Sequence, residues 1–329
     1  MASVKRPTRP KLPMKIAEAY YSGMWKLINK MSGYTLKQYD EAIAPLAAEY
    51  LQKSNSIREI PTDALNTNKL DLSRLSPDMR RLYDELIAEV NAQLKRMGKH
   101  LHDVVFTDAV VWKLAKKFVG KVVLKQKLDQ AAAVSAATDT SKETVLGLKP
   151  FEDDIVMQQY VNDRISQNVN LIKSIPDYFL GKVKKTIEEG MSKGRSTSDM
   201  VEEIKLSTGV AENKAKLIAR DQLGSIYGQV KKKRSEDLGL HSFKWRTMQD
   251  SRVRDTHEAL EGRVFSWDTG AVGEGVEGTV RGKCPGEDYQ CRCVAEDIYE
   301  ELAGVSVDGS NDITQPQVVS AGGGKGDGQ

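Results

Sequence analysis

The sequence predicts an α+β protein: mostly helical N-terminal and middle regions, then a small mixed α/β C-terminal module that a zinc ion would stabilise. Three observations lead there. Leu, Ile, Val and Ala recur at helical spacing over most of residues 14–235. Aromatic residues are only 6% of the chain, which favours helix packing over an aromatic-rich sandwich. At about residue 241 the pattern changes to short alternating runs, such as Phe243-Lys244-Trp245-Arg246-Thr247, and a Gly-rich stretch from Gly270 to Gly282.

Taken in order, residues 1–13 are basic and carry Pro7, Pro10 and Pro13, so they read as a flexible arm. A helical N-terminal region follows over 14–130. Its first helix spans 14–31, with Ile16, Tyr20, Met24, Leu27, Ile28 and Met31 on one side. A second spans 35–53, which Pro45 should kink or split. Residues 54–76 read as a loop broken by Pro61. Ser76-Pro77 opens a helix running to about Arg96. Residues 104–130 are helical, with Val122-Val123-Leu124 readable instead as a strand. Residues 131–150 shift to small and polar residues and are expected to be a linker.

Residues 152–175 return to helix, and Pro176 predicts a break or kink. Residues 178–193 and 197–207 form a helical hairpin about Gly194-Arg195-Ser196, with Ser196 or Ser198 as cap and Gly209 as stop. A further helix covers 211–235 and ends at Gly239. Strands are expected over 243–247 and 263–267, a short helix over 250–260 ended by Gly262, and a last element over 294–302. From Gly304 the Gly-, Ser- and Asp-rich composition predicts a disordered tail.

Net charge is +3, which hides local asymmetry. Residues 1–30 hold seven Lys or Arg against Glu18 alone, and 113–127 hold six lysines and no acid. Lys231, Lys232, Lys233 and Arg234 form a third basic run. Each suits either a solvated face or phosphate contact, and the last run is the candidate nucleic-acid-binding segment. No stretch approaches the ~20 apolar residues of a membrane span, and no signal peptide is visible. Three cysteines cannot all pair, so reduced thiols and folding in the cytoplasm are expected.

Chemistry concentrates near the C-terminus. All three cysteines, Cys284, Cys291 and Cys293, lie within ten residues, and His257 stands shortly upstream. Three thiols and an imidazole suit Zn²⁺. Four ligands would make a closed structural site. Without Cys284, a water or a carboxylate such as Asp250 or Asp255 would complete the set. The alternative is that the cysteines are merely buried or idle. The charged run Asp250, Arg252, Arg254, Asp255, His257 also has two readings. His257 could act as general base with Asp250 as its orienter, as in a metal-dependent nuclease. The favoured reading is structural, with the charges tying a helix to a strand. No P-loop or nucleophile elbow supports catalysis. Arg220-Asp221-Gln222, within a helix, reads as a surface feature or a tie to the next domain.

The order of these residues carries a resemblance. Ala219 to Gln222 in a helix comes first, then Trp245, then Asp250, Arg252, Arg254, Asp255 and His257. Leu260, Gly262 and Val264-Phe265 follow, then Pro285-Gly286 and Cys291-Arg292-Cys293. This resembles the Mu F-like minor head proteins of tailed bacteriophages over about residues 150–300, with a head morphogenesis domain at 151–303. Arg220-Asp221-Gln222 stands where members often show Arg-Thr-Glu, and Cys284 lies outside the motif, so His257, Cys291 and Cys293 become the core of a metal set. The resemblance implies a non-enzymatic virion protein inside the capsid near the portal, assembled in the host cytoplasm. Its implied partners are the portal protein, scaffold or major capsid protein, and packaged double-stranded DNA bound without sequence readout, with a role in DNA delivery and no membrane in the assembled head. A nuclease using His257 remains the alternative. A polymorphic toxin with a Mu F-like delivery domain would need a further domain after the motif.

Overall fold

The computed structural model describes residues 9–57, 76–152 and 154–302. Helices dominate: α1 (Met14–Gln38), α2 (Ala44–Ile57), α3 (Pro77–His100), α4 (Asp108–Thr138), α5 (Lys142–Leu146), α6 (Ile155–Ser192), α7 (Thr197–Asp237) and the short α8 (Asp255–Glu258). The strands are β1 (Ser242–Arg246), β2 (Val264–Ser266) and β3 (Val294–Asp297). The α+β expectation holds. Of the loop expected over 54–76, residues 54–57 instead continue α2; its residues 58–75, residues 1–8 of the arm expected over 1–13, and the tail from 304 lie outside the described residues.

The chain forms two compact units that do not follow chain order. One comprises 14–120 and 160–222; the other comprises 1–13, 121–159 and 223–329. Three long helices, α4, α6 and α7, run through both.

The elements described in the first unit are all helices. Tyr20 stacks on Phe118 with centroids 3.9 Å apart. The Tyr20 hydroxyl donates to Asn168 Oδ1 (3.0 Å), and Asn168 Nδ2 donates to Gln222 Oε1 (3.1 Å). Gln222 is therefore a buried tie between α6 and α7, where a surface feature or a tie to the next domain was expected. Several sequence expectations are corrected in these helices. Residues 32–34 do not interrupt α1. A π-helical turn at Tyr39–Ile43 separates α1 from α2, and Pro45 falls in the first turn of α2, where a missing N–H leaves no bond broken. Pro176 sits inside α6, and Gly209 does not stop α7. At both places the flanking apolar residues are buried: Ile172, Ile175 and Phe179 around Pro176, and Ile204, Ala211 and Ala215 around Gly209. That burial outweighs a local cost of about 1 kcal/mol for glycine and about 3 kcal/mol for proline. Ser76 does cap α3, its Oγ accepting from Met79 N (3.3 Å), and Ser196 caps α7 by accepting from Asp199 N (3.1 Å).

The second unit carries the sheet. Its strand order is β2-β1-β3, all antiparallel, with Phe243 opposite Phe265 and Trp245 opposite Ala295. Alternate residues of β1 are buried, so Phe243 and Trp245 face a core shared with Leu260, Phe265, Trp267, Val276, Val280 and all three cysteines. Residues 131–150 are not the linker expected. Residues 131–138 continue α4, Lys142–Leu146 form α5 capped by Ser141, and Val122-Val123-Leu124 are helical. Alanine is the best helix former, and Ala131, Val134, Val145, Leu148 and Phe151 build a second cluster with Leu238, Leu240, Tyr299 and Leu302.

A buried polar network ties α4 and α7 to β3. Asp297 receives Lys231 Nζ, Ser235 Oγ (2.7 Å) and Gln130 Nε2 (3.3 Å). Gln126 donates to Gln130 (2.6 Å) and accepts from Arg234. Removing one partner of a buried ion pair strands the other charge, which costs about 3–5 kcal/mol. Asp297→Ala is therefore expected to lower unfolding free energy by that amount, read by chemical denaturation.

Candidate metal centre

His257 closes the single turn of α8, while Cys291 and Cys293 lie on the loop that enters β3. The chain brings them together: one ligand atom from each lies within 4.8 Å of the others, and all three residues are buried. His257 Nδ1 is 3.5 Å from Cys293 Sγ and 3.6 Å from Cys291 Sγ. Its other nitrogen, Nε2, is 3.0 Å from Asp288 Oδ2.

Asp288 is the residue that sequence reasoning missed. Its carboxylate is almost wholly buried and accepts from Thr279 Oγ1 (3.0 Å), Arg254 Nη1 (3.0 Å) and Lys283 Nζ (2.7 Å). Burial opposes its ionisation, but the hydrogen bonds from Lys283, His257 and Thr279 hold its carboxyl well below the usual range. A carboxylate on one imidazole nitrogen fixes the tautomer and aims the other nitrogen at the thiols.

The two thiols behave as a pair. A hydrogen bond from Cys293 holds Cys291 well below the ordinary thiol value despite burial, and His257 and the Gly286 N–H add to this. Sharing that hydrogen bond, together with burial, pushes Cys293 up. For His257, burial acts against the charged form, but Cys291 and then Asp288 win and raise it. Two sulfurs and an imidazole nitrogen, with the second nitrogen anchored on a carboxylate, fit a soft-to-borderline cation such as zinc.

Cys284 is not brought into this cluster. Its Sγ points to the Trp267 carbonyl oxygen (3.8 Å), and burial, with Glu287 nearby, pushes its thiol up to about 12. The residues whose ligand atoms the fold gathers are therefore His257, Cys291 and Cys293, and Cys284 stands outside that group. Asp250 does not orient His257 either. It is held by both guanidinium nitrogens of Arg292 (2.6 Å each) and by Arg252 (3.1 Å). Arg292, between the two ligand cysteines, is thus the clamp that fixes their loop.

Helix α7 supplies the other wall. Gly224 and Gly228, one turn apart, let the ligand loop pass at backbone distance. A Cβ at Gly224 would lie 2.5 Å from the Cys291 carbonyl oxygen, and one at Gly228 would collide with the Pro285 carbonyl oxygen. Gly286 (φ 93°) returns the approach, since its own Cβ would strike the Gly224 carbonyl oxygen. The spaced motif of the sequence is one contact surface: helix α7, the Pro-Gly turn and the Cys-Arg-Cys loop.

The basic run on α7 lies elsewhere than expected. Lys231 and Arg234 are buried in the Asp297 network, Lys232 donates to the Trp267 carbonyl (2.6 Å), and Lys233 pairs with Asp237 (2.8 Å). Lys231 and Arg234 are structural ties, while Lys232 and Lys233 are half-buried, each with a partner. Arg9, in the expected flexible arm, also has fixed partners: Glu261 (3.0 Å) and the Thr247 carbonyl (2.8 Å).

Fold and site together define a largely helical protein whose C-terminal α/β module closes around a buried thiol–imidazole cluster. Residues 181–296 match the family model described as Phage Mu protein F like protein, which supports a phage Mu F-like protein. That span includes Gly224, Gly228, His257, Asp288, Cys291 and Cys293. A curated protein of Haemophilus influenzae, named "Uncharacterized protein", is 31% identical over 159 residues, 48% of this chain and 34% of the relative. The chain therefore spans about a third of that relative's length. No solved structure matches.

Proposed function

We propose that the chain is a minor capsid protein of a tailed phage head, placed inside the capsid near the portal and against packaged double-stranded DNA. In this reading it acts in head morphogenesis and in DNA delivery, with portal protein, scaffold or major capsid protein as assembly partners. The observation that carries the reading is the Mu protein F-like match over residues 181–296. The module is held by Zn²⁺ on His257, Cys291 and Cys293 with a water or a carboxylate completing the tetrahedron, and the ion is structural rather than catalytic. The ligands' burial supports this, since a hydrolytic metal needs room for water and substrate. His257 turns Nε2 to Asp288 and Nδ1 to the two sulfurs, which leaves neither ring nitrogen to act as a general base.

The experiment is head purification from the phage that encodes the chain. Full-length protein is expected to co-purify with portal-containing heads, and a chain lacking residues 241–302 is expected to be excluded. Equal incorporation of both, or metal-dependent cleavage of DNA abolished by His257→Ala, would overturn the reading.

A further inference from the structure

Lys231 and Arg234 are buried in structural use, and among the described residues of the first unit a separate run of exposed lysines is brought together on one helix. It lies on α4. Trp112, Lys116 and Gly120 follow one another at one-turn intervals, and Lys113 and Lys117 form the adjacent row. All five residues are exposed. Several lysines on long helices of this unit sit one turn from a carboxylate, among them Lys184 with Glu188, Lys185 with Glu189 and Lys216 with Glu212. Lys113, Lys116 and Lys117 have no carboxylate partner among the described residues. Lys116 instead lies 4.6 Å from the Trp112 ring centroid, and that ring is 49% exposed.

Gly120 is the second, independent observation. Glycine inside a helix weakens it, and here no packing explains its presence: a Cβ at Gly120 would meet nothing within 4 Å. An open, side-chain-free spot between lysine rows lets another backbone come close.

We propose that this face of α4 is a docking surface for the phosphate backbone of double-stranded nucleic acid. The density of unpaired charge favours that occupant over a protein. Lysines are depleted at protein interfaces, whereas mobile ammonium groups without acids between them suit repeated phosphates read without base contacts. The proposal rests on the reading that the chain works against packaged DNA, and it names the surface.

The test is binding of a short labelled duplex of arbitrary sequence by the full chain, titrated across salt concentrations. Wild type is expected to bind. The triple variant Lys113→Gln/Lys116→Gln/Lys117→Gln should bind about tenfold or more weakly, with a log–log salt slope shallower by about 2.7 if each lysine meets one phosphate. Gly120→Gln should weaken binding too, at unchanged or raised melting temperature. Lys184→Gln/Lys185→Gln, on paired lysines, should change neither quantity. If the triple variant keeps wild-type melting and binds equally, this surface is refuted while the DNA reading stands. If wild type binds polyglutamate but no duplex, both fall and the face belongs to an acidic protein.

Discussion

Gly228→Ala is expected to disrupt the C-terminal module, although alanine is the better helix former. Propensity alone would stabilise α7 by about 1 kcal/mol. Against this stands a Cβ driven into the Pro285 carbonyl oxygen, a backbone atom with no rotamer to escape into. Overpacking of this kind costs about 1–3 kcal/mol, and more where backbone must move. The net result is a loss of about 2 kcal/mol or more, read by denaturant unfolding. Gly209→Ala on the same helix is the control: its site is open, so it should stabilise. Equal effects at the two glycines would show that the close approach of α7 to the ligand loop is not a real constraint.

His257→Ala, or removal of metal by a strong chelator, should have a still larger effect on the same module. Its sheet has three strands of three to five residues, too little for independent stability without a packed face or a staple. A structural zinc contributes about 10–16 kcal/mol of apparent binding free energy in small zinc-folded peptides. Losing it should unfold the module locally while helical far-UV signal persists. Trp245 reports the event, because its ring packs edge-on to His257 with centroids 5.8 Å apart. Near-UV dichroism is expected to collapse on chelation and return with zinc. Chelation that left it unchanged would contradict a metal role in folding.

How much of this was legible in the sequence depended on how far apart the interacting residues lie. Local signals read well. Ser76-Pro77 named its helix start, Gly239 its helix end (φ 74°), and alternation from Phe243 its strand. The fold does bring His257, Cys291 and Cys293 together, as their soft ligand chemistry led one to expect. Long-range satisfaction did not read. The partners of Lys231 and Arg234 in the buried network, Asp297 and Gln126, are 66 and 108 residues away, so a basic run looked like a surface. Asp288 looked like any loop acid until the chain folded it under His257. Cys284 shares a ligand's chemistry with its neighbours but points to the Trp267 carbonyl, a difference of loop path that spacing cannot carry. Pro176 and Gly209 misled for the opposite reason: local breaking signals were overridden by buried apolar faces on either side.

The co-occurrence of distant motif residues now has a physical account. Arg292 reaches Asp250, Arg254 and His257 reach Asp288, and the Pro285-Gly286 turn lies on Gly224 and Gly228 of α7. Changing any one of these partners alters the seat of the thiol–imidazole cluster.

The most direct measurement is metal content per chain in purified wild type, Cys291→Ser and Cys284→Ser, by elemental mass spectrometry. The account predicts one zinc equivalent in wild type, the same in Cys284→Ser, and none in Cys291→Ser. Wild-type protein without metal, or a Cys284→Ser variant that loses it, would contradict a centre built on His257, Cys291 and Cys293.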